Sequence, residues 1–154
     1  MPPILVSACL LGLLTRYDGT SKRKNTRVLE FLDRQGLIPV PVCPEQLGGL
    51  PTPRPQTRFA CGDGAAVLDG AGSVLNAKGA TMNGPFLKGA VETMKVARLA
   101  GCSQALLKER SPSCGVHQVY LETQILPGKG VTAALLERNG IHVFSEEDLE
   151  PSTP

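Results

Sequence analysis

Apolar residues along this chain occur in two patterns, short unbroken runs and longer stretches with helical spacing. Residues 4–9 and 37–43 are short runs in which nearly every position is apolar, which is typical of strands buried on both faces of a parallel sheet. Between them, residues 25–35 carry apolar side chains at helical spacing, and Gly36 follows as a C-cap. A strand, a helix and a second strand in this order predict a βαβ unit with parallel strands and a right-handed crossover.

The rest of the chain continues this alternation after one interruption. Residues 44–64 show neither pattern and are rich in Gly and Pro, and a long irregular loop in a compact domain is more often functional than idle. A small hairpin is expected over residues 65–75, because Asp69-Gly70 is a strong turn signal. The remaining predicted elements are a helix over 83–100 ended by Gly101, a strand over 103–108, a short strand over 116–121, a helix over 130–139, a strand over 141–144 and a helical turn after Ser145.

Strands that alternate with helices are typical of α/β proteins. At 154 residues the chain fits one domain with a substantial core, and it shows no internal repeat and no domain boundary. We therefore predict a single three-layer α/β domain over residues 1–150, with a mainly parallel sheet of the Rossmann-like or flavodoxin-like kind. Residues 151–154 are expected to form a frayed tail.

Composition narrows the possible functions. The formal net charge of +2 is too small to indicate a nucleic-acid polymer or an anionic membrane as a partner, and no apolar run is long enough to span a bilayer. Aromatic residues make up 4% of the chain, with no Trp, which disfavours a platform for stacking single-stranded nucleic acid. The first residues lack the features of a signal peptide, so we expect a cytoplasmic protein, in which scattered reduced cysteines more often bind metal or act in catalysis.

Three of the five cysteines follow predicted strands. Cys9 and Cys43 end the first two strands, and Cys114 follows the strand over 103–108 after a short loop. Because the carboxyl ends of parallel strands share one edge of the sheet, the three thiolates are expected to converge there. Three soft ligands without a nearby histidine indicate an iron–sulfur cluster, or zinc with one open position. The alternative for each is a small buried thiol used for packing, the role we assign to Cys102, which precedes its strand.

Polar residues beside these cysteines are the next candidates for catalysis. Glu45 lies two residues after Cys43, and a carboxylate beside a metal site is a natural proton carrier, although a surface position in a loop is its alternative. Ser111 and Ser113 precede Cys114 and could hydrogen-bond cluster sulfur, position a water or donate a proton. The alternative is that both serines only help to form a turn, because Ser-Pro-Ser-x-Gly is a favourable loop sequence in any protein.

Other candidate residues carry weaker signals. Cys61 lies in the irregular segment and could be a fourth ligand, which would close the site and make it structural. Arg16 is expected to pair with Asp18 and brace the first loop, or else to face an anionic substrate. Lys129 and the helix start at residue 130 are a weak candidate for binding an anion through free backbone N–H groups. The two histidines of the chain are assigned structural roles.

Several motifs of the chain resemble one known family. The chain is similar, over nearly its whole length, to a bacterial domain family that includes the thiouracil desulfidases (TudS-like proteins). The motifs that carry this resemblance are Ser7-Ala8-Cys9-Leu10-Leu11-Gly12, Arg16-Tyr17-Asp18-Gly19, Cys43-Pro44-Glu45, Gly48-Gly49-Leu50-Pro51-Thr52-Pro53-Arg54, Ser111-Pro112-Ser113-Cys114-Gly115 and Gly130-Val131-Thr132-Ala133-Ala134-Leu135-Leu136.

The resemblance implies an activity, a cofactor and site residues. Characterised members of the family carry an oxygen-sensitive 4Fe–4S cluster held by three cysteines, which map onto Cys9, Cys43 and Cys114. The fourth iron is open and binds the thiocarbonyl sulfur of a small thiolated substrate. A carboxylate and a serine act in the hydrolysis, and they map onto Glu45 and the serine motif at 111–113. The implied reaction is non-redox removal of sulfur, as sulfide, from a thiolated nucleobase such as thiouracil or from a related thioamide.

One position departs from the family pattern, and two other functions stay open. Many relatives have a cysteine where this chain has Thr15, which we interpret as evidence that a cysteine there is dispensable. The first alternative function is a non-catalytic zinc- or cluster-binding accessory domain, with Cys61 completing a closed site. The second is a nucleotide-binding accessory domain that uses the helix start at residue 130.

Overall fold

The computed structural model describes residues 1–20 and 25–149. The predicted tail at 151–154, and the predicted domain end at residue 150, lie outside the described residues. The strands are β1 (Pro3–Ser7), β2 (Ile38–Val42), β3 (Thr57–Cys61), β4 (Ser73–Asn76), β5 (Gln104–Leu107), β6 (Gln118–Leu121), β7 (Gln124–Pro127) and β8 (His142–Ser145). The helices are α1 (Thr26–Gln35), α2 (Pro44–Leu47), α3 (Gly64–Leu68), α4 (Asn83–Ala100) and α5 (Val131–Arg138), and 3₁₀ turns follow β1 at Ala8–Leu11 and β8 at Glu146–Asp148.

The main sheet has four parallel strands in the order β2–β1–β5–β8. Helix α1 packs on one face, where Val28 and Leu32 join Ile4 of β1 in one buried cluster. Helices α4 and α5 cover the other face, where Ala97 packs in a cluster with Leu5 of β1. These are the three layers that the sequence predicts, and the α/β class with a mainly parallel sheet is confirmed.

The two longest helices have the predicted bounds for clear local reasons. Helix α1 begins after Asn25, whose side chain accepts a hydrogen bond from the Val28 N–H at 3.2 Å and so caps the helix. It ends at Gly36, where φ is +62°, a left-handed conformation that glycine adopts without steric cost. Helix α4 ends in the same way at Gly101, where φ is +74°. No helix in the described part of the chain is long and apolar enough to cross a membrane.

A second sheet, which the sequence analysis did not predict, orders its strands β4–β3–β6–β7. The β3–β4 and β6–β7 pairs are antiparallel, and β3 meets β6 in parallel. Phe59, Val74 and Val119 of this sheet share a buried cluster with Phe86 of α4 and Val131 of α5. Helices α4 and α5 therefore lie between two sheets.

The predicted hairpin over residues 65–75 is wrong. Its first half belongs to α3, because Asp63 caps that helix by accepting a hydrogen bond from the Ala66 N–H at 3.1 Å. The Asp69-Gly70 turn therefore joins a helix to β4, and β4 pairs with β3. Residues 44–64 were expected to be irregular throughout, but they contain the whole of α2 and the whole of β3.

Strand β2 lies at a free edge of the main sheet, although its apolar run predicts burial on both faces. Pro39 and Pro41 have no backbone N–H to donate to a further neighbour, which confines such a strand to an edge. Ile38 is consequently 47% exposed, and Val42 is the buried residue of the strand.

Two glycines let α2 and α4 approach each other closely. A Cβ on Gly48 would lie 2.1 Å from the carbonyl oxygen of Pro85, and a Cβ on Gly89 would lie 2.0 Å from the carbonyl oxygen of Pro44. Both distances are far below van der Waals contact, so only glycine fits at these two positions. The close approach fixes α2, and with it the residues that begin this helix, against the longest helix of the domain.

Candidate functional site

A cleft of about 780 Å³ lies between the carboxyl edge of the main sheet and the second sheet. Strand β1 lies between β2 and β5 in the main sheet, so the connection that follows β1 runs to one side of it and the later strands lie on the other side. Open α/β sheets bind ligands at such a switch point. The structure brings all but one of the predicted site residues together here: Cys9, Cys43, Cys114, Glu45 and Ser111 line the cleft, and Ser113 does not.

Two of the three cysteines lie where a strand gives way to a helical turn. Cys9 is in the 3₁₀ turn after β1, and Cys43 is the N-cap residue of α2. Burial raises the pKa of both thiols. The positive charge of Lys108 opposes this rise at Cys9, and the Gln46 N–H with the Arg54 guanidinium opposes it at Cys43. Lys108 beside Cys9, and Arg54 with the Gln46 N–H beside Cys43, therefore favour the thiolate form of each cysteine, whereas burial and the nearby Glu146 and Glu45 carboxylates disfavour it.

Cys114 is the most buried of the three, at 4% exposed. Burial raises its thiol pKa strongly, the Ser7 hydroxyl opposes this by donating a hydrogen bond to the sulfur, and the charges of Cys9 and Cys43 raise the pKa further. The three thiols line the same cleft, so a negative charge on one of them disfavours ionisation of the others. The Ser7 Oγ also accepts a hydrogen bond from the Lys108 N–H at 2.9 Å. Sequence reasoning missed Ser7, whose signal is a lone hydroxyl at the end of an apolar strand.

The loop from β5 to β6, which carries Cys114, is held by two oxygen atoms. The Ser111 Oγ accepts hydrogen bonds from the N–H groups of Ser113 and Cys114, at 3.2 and 3.1 Å. The Glu109 Oε1 accepts hydrogen bonds from the three N–H groups of residues 116–118, at 2.8 to 3.0 Å. Burial raises the pKa of the Glu109 carboxyl, but these backbone donors outweigh burial, so its pKa lies below the usual value. Glu109 was not predicted, because its burial depends on tertiary packing.

The two candidate serines occupy different positions. Ser111 lines the cleft, whereas Ser113 is buried outside the cleft lining, next to the start of α5. The Ser113 carbonyl accepts hydrogen bonds from the N–H groups of Thr132 and Ala133 at 2.9 and 3.2 Å. Ser111, and not Ser113, therefore lines the same cleft as the three cysteines.

The start of α5 is not free to bind an anion. The N–H groups of residues 131–133 all donate to the carbonyl oxygens of residues 112–113, at 2.9 to 3.2 Å. Gly130 permits this contact, since a Cβ there would lie 2.5 Å from the nearer of these carbonyl oxygens. Lys129 forms an ion pair with Glu137 at 2.9 Å. The predicted anion site is wrong, and the nucleotide-binding alternative loses the site on which it depended.

Glu45 lies in the first turn of α2, and not in a loop as predicted. Its Oε2 accepts a hydrogen bond from the Arg54 Nη2 at 3.1 Å, and its Oε1 accepts one from the Thr57 Oγ1 at 3.4 Å. The Arg54 side chain is 3% exposed and that of Glu45 is 15% exposed. The same Nη2 donates to the Thr15 carbonyl at 3.0 Å and lies 3.9 Å from the Cys43 Sγ. Sequence reasoning did not single out Arg54, whose signal is a charged residue that ends a proline-rich stretch.

The loop after β1 is braced in another way than expected. The Asp18 carboxylate accepts hydrogen bonds from the Thr20 N–H at 3.0 Å and the Thr20 Oγ1 at 2.6 Å. The described residues form no ion pair between Arg16 and Asp18, so the predicted pairing is wrong. Arg16 instead lines the cleft.

The opposite wall of the cleft comes from the second sheet. Arg58 of β3, Tyr120 of β6 and Glu122 in the β6–β7 turn all line it. The Arg58 Nε donates to the Glu122 Oε2 at 2.7 Å, and these side chains are 33% and 53% exposed. None of these residues was predicted, because the second sheet was not predicted.

The remaining candidates lie away from the cleft. Cys61 is exposed at the end of β3, its Sγ donates to the Ala71 carbonyl at 3.6 Å, and it does not line the cleft. The closed site that Cys61 would complete is therefore not formed. Cys102 is buried in the core beside α4, as predicted.

The structural roles predicted for the two histidines agree with their contacts, since His117 pairs with a surface aspartate at 2.9 Å and His142 stacks on a phenylalanine. Over residues 1–20 and 25–149, no group of three or more His, Cys, Asp or Glu side chains is arranged around a single metal-ion position.

The fold and the cleft define a class of protein, an α/β domain that gathers three cysteines, a carboxylate and a hydroxyl at the carboxyl edge of its parallel sheet. Comparison with known proteins gives the family. The sequence profile of the 2-thiouracil desulfurase family matches residues 4–148, and the chain belongs to this family. The resemblance drawn from the motifs is thereby confirmed.

Two relatives match nearly the whole chain. The uncharacterized protein YbbK of Bacillus subtilis (strain 168) is 38% identical over 149 residues, which covers 95% of this chain and 97% of YbbK. Among solved structures, the [4Fe-4S]-dependent thiouracil desulfidase TudS superposes with a TM-score of 0.81 at 40% identity, covering 97% of this chain and 93% of that chain. Family and structure together support an iron–sulfur-dependent desulfidase.

The donor set of the cleft fits an iron–sulfur cluster. Cys9, Cys43 and Cys114 are reduced cysteines outside any disulfide that line one cleft, and cysteine thiolates are the usual ligands of such clusters. The Ser7 hydroxyl beside Cys114 and the backbone N–H groups at the start of α2 beside Cys43 lower the pKa values of these thiols, and donors placed in this way suit a cluster, which accepts hydrogen bonds at sulfur. Because burial raises all three thiol pKa values, binding a cluster displaces protons from these sulfur atoms.

Proposed function

We propose that this protein is a 4Fe–4S cluster-dependent, non-redox desulfidase that removes sulfur by hydrolysis from a thiolated nucleobase such as thiouracil, or from a related thioamide. The observation that supports this most is that three cysteine thiols meet Glu45 and Ser111 at one cleft, in a chain of the 2-thiouracil desulfurase family. The proposal takes residues 1–150 as one cluster-binding domain that works on a small molecule in the cytoplasm, where thiols stay reduced.

Three cysteines would hold the cluster in this proposal. They are Cys9, Cys43 and Cys114, which leaves one iron without a protein ligand because Cys61 lies outside the cleft. When bound there, the cluster would supply Lewis-acid chemistry toward the sulfur of a thiocarbonyl group.

Glu45 is the residue that we assign to proton transfer. Its carboxylate reaches the cleft from the first turn of α2, within the same lining as the cysteines. There it accepts a proton from a water molecule, whose oxygen attacks the carbon of the thiocarbonyl group. The carbon–sulfur bond breaks and a carbonyl forms, so one water is consumed for each sulfide released. The carbon keeps its oxidation state, and no electron donor is needed.

Ser111 is the serine that we assign to the reaction, because its hydroxyl lines the cleft. A hydroxyl has one proton to donate and two lone pairs to accept with. The N–H groups of Ser113 and Cys114 occupy the accepting capacity of the Ser111 Oγ. Its O–H proton is thus the part left to orient the attacking water or to hydrogen-bond the substrate.

Anaerobic reconstitution followed by an isotope experiment tests the proposed function. The protein should take up iron and sulfide near the content of one 4Fe–4S cluster per chain, turn brown, and release sulfide from 2-thiouracil. In water enriched in ¹⁸O, the uracil formed should carry the heavy oxygen at the carbon that lost sulfur. A colourless, zinc-loaded protein that releases no sulfide would contradict the proposal, and uracil without the label would contradict hydrolysis.

A further inference from the structure

Arg54 contacts both a cysteine and the carboxylate of the site, and no role given above includes it. Its side chain is 3% exposed, and a buried guanidinium is costly unless its charge and its N–H groups are paired. The pairing here is incomplete, because the buried Nε has no hydrogen-bond partner among the described residues. An unpaired buried donor reduces stability, so the position of Arg54 is not explained by stability alone.

The segment that carries Arg54 fixes the guanidinium from one side. The Nη1 donates to the Thr52 Oγ1 at 2.8 Å and to the Pro51 carbonyl at 3.4 Å. The Gln46 Nε2 donates to the same Thr52 Oγ1 at 2.7 Å. The Arg54 N–H donates to the Tyr17 carbonyl at 2.6 Å. Side chain and main chain are both anchored, so the guanidinium has one defined position.

The other terminal nitrogen joins two parts of the site. The Nη2 binds the Glu45 Oε2 at 3.1 Å and the Thr15 carbonyl at 3.0 Å, and it lies 3.9 Å from the Cys43 Sγ. The loop after β1 and the start of α2 are therefore tied to each other through one atom. The two oxygens of the Glu45 carboxylate differ in their contacts, since among the described residues Oε1 accepts only the 3.4 Å hydrogen bond from the Thr57 Oγ1.

We propose that Arg54 is a positioning residue for Glu45, and that it determines which carboxylate oxygen takes the proton in the reaction. Arg54 occupies Oε2 and leaves Oε1 with the capacity to accept a proton from water. The inference rests on the role proposed above for Glu45. Lysine cannot replace arginine here, because a single ammonium cannot bind Thr52 on one side and Glu45 on the other in the fixed geometry of a planar fork.

A double-mutant cycle tests the coupling between the two residues. Arg54→Lys should lower kcat by about 10- to 100-fold, the scale of a misplacement of about 1 Å, with KM within about twofold and iron content unchanged. In the Glu45→Gln background the same change should lower kcat by less than about threefold, because no carboxylate remains to be positioned. An equal loss in both backgrounds, or a loss of iron, would overturn the proposal. Arg138→Lys is the matched control, since Arg138 pairs with Asp69 at 2.9 Å on the protein surface, and it should change nothing.

Carboxylate labelling of the metal-free protein tests the contact without any activity. Glu45 should react several-fold faster with a carbodiimide and glycine ethyl ester in Arg54→Lys than in the wild type, as read by mass spectrometry, and Arg138→Lys should leave the rate unchanged. Thr52→Val removes the acceptor of the Arg54 Nη1 while keeping the guanidinium, and it should shift the labelling in the same direction if Arg54→Lys does not fold. Unchanged labelling overturns the positioning role. If labelling of Glu45 is faster in the variant but the wild type releases no sulfide, the contact between Arg54 and Glu45 stands and only the proposed function is contradicted.

Discussion

The two walls of the cleft differ in how they are built. The wall at the carboxyl edge of the main sheet carries the cysteines and Glu45, whose side chains are wholly or partly buried, and the Arg54 guanidinium holds the Glu45 carboxylate. The wall from the second sheet carries the exposed Arg58–Glu122 ion pair and Tyr120, which is 40% exposed. Fixed, buried groups and solvated, adaptable groups therefore face each other across the cleft. Changes on the first wall should therefore affect chemistry, and changes on the second should affect binding.

The largest expected effect is loss of the cluster when a cysteine of the first wall is removed. Cys9→Ala, Cys43→Ala and Cys114→Ala should each abolish cluster assembly, because a site with three ligands has none to spare. Iron content and visible absorption after anaerobic reconstitution measure this.

Two other cysteines serve as matched controls for this prediction. Cys102 is a buried thiol at the opposite edge of the main sheet, and Cys61 is an exposed thiol outside the cleft. Cys102→Ala and Cys61→Ser should both keep the full iron content. If Cys114→Ala kept its iron, the assignment of the three first-wall cysteines as cluster ligands would be wrong.

Glu45→Gln should have the next largest effect, on turnover alone. The amide keeps the size of the side chain but cannot accept a proton, so hydrolysis of thiouracil should slow by roughly 10²–10⁴-fold. The cluster should assemble normally, since Glu45 is not a proposed ligand. Assays of sulfide release and of substrate binding separate these effects. Loss of the cluster in this variant would instead assign Glu45 a structural role.

The two serines allow a sharper test within the first wall. Ser111→Ala removes a hydroxyl that lines the cleft and should slow turnover toward the lower end of the ~10²–10⁴-fold range for lost proton-transfer help. Ser113→Ala changes a buried side chain next to α5 and should leave kcat within about twofold. The kcat of each reconstituted variant decides between them, and the reverse order would make Ser113 the functional serine.

Glu109→Gln should make the unfolding free energy of the protein depend less on pH. At pH 7 the loss of a charged acceptor for the loop after β5 should cost about 1–3 kcal/mol of unfolding free energy. The folded carboxyl has a lowered pKa, so its contribution is complete above the unfolded pKa of about 4.3 and is lost as pH falls through the lower folded value. Urea unfolding should show a wild-type advantage that is full at pH 7 and narrows below about pH 4. A constant difference between the two pH values would contradict this assignment.

The smallest effect is expected on the second wall. Glu122→Gln breaks an exposed ion pair with Arg58, and such pairs contribute about 0–1 kcal/mol. The KM for thiouracil should therefore change by less than about fivefold, with kcat unchanged. A kcat that falls as far as in Glu45→Gln would abolish the distinction between the two walls.

The first wall could be predicted from the sequence because general rules govern it. Unbroken apolar runs mark β1 and β5, parallel strands present their carboxyl ends at one edge, and cysteines at those ends must come together. The same reasoning separated Cys102 from Cys114 by its place before a strand. Helices α1 and α4 were predictable because an apolar stripe and a terminal glycine are local signals.

The second wall could not be predicted, because its signals are weak or shared with other structures. Phe59 is the only buried residue of β3, so that strand shows no run and no alternation. Asp69-Gly70 is a turn signal that does not say which elements it connects. Arg54 and Glu109 were missed for a related reason, since the burial of a charged side chain depends on partners that lie far away in the sequence or in the main chain.

The close crossing of α2 and α4 has a consequence for surveys of mutational tolerance. Gly48 and Gly89 each face a carbonyl oxygen of the other helix at a distance that leaves no room for a Cβ. A library of single variants selected for activity would be depleted at both glycines as severely as at Cys43, although neither glycine lines the cleft. Intolerance to substitution in this protein therefore marks backbone proximity as well as chemistry. The two are told apart by whether a variant loses its fold or only its turnover.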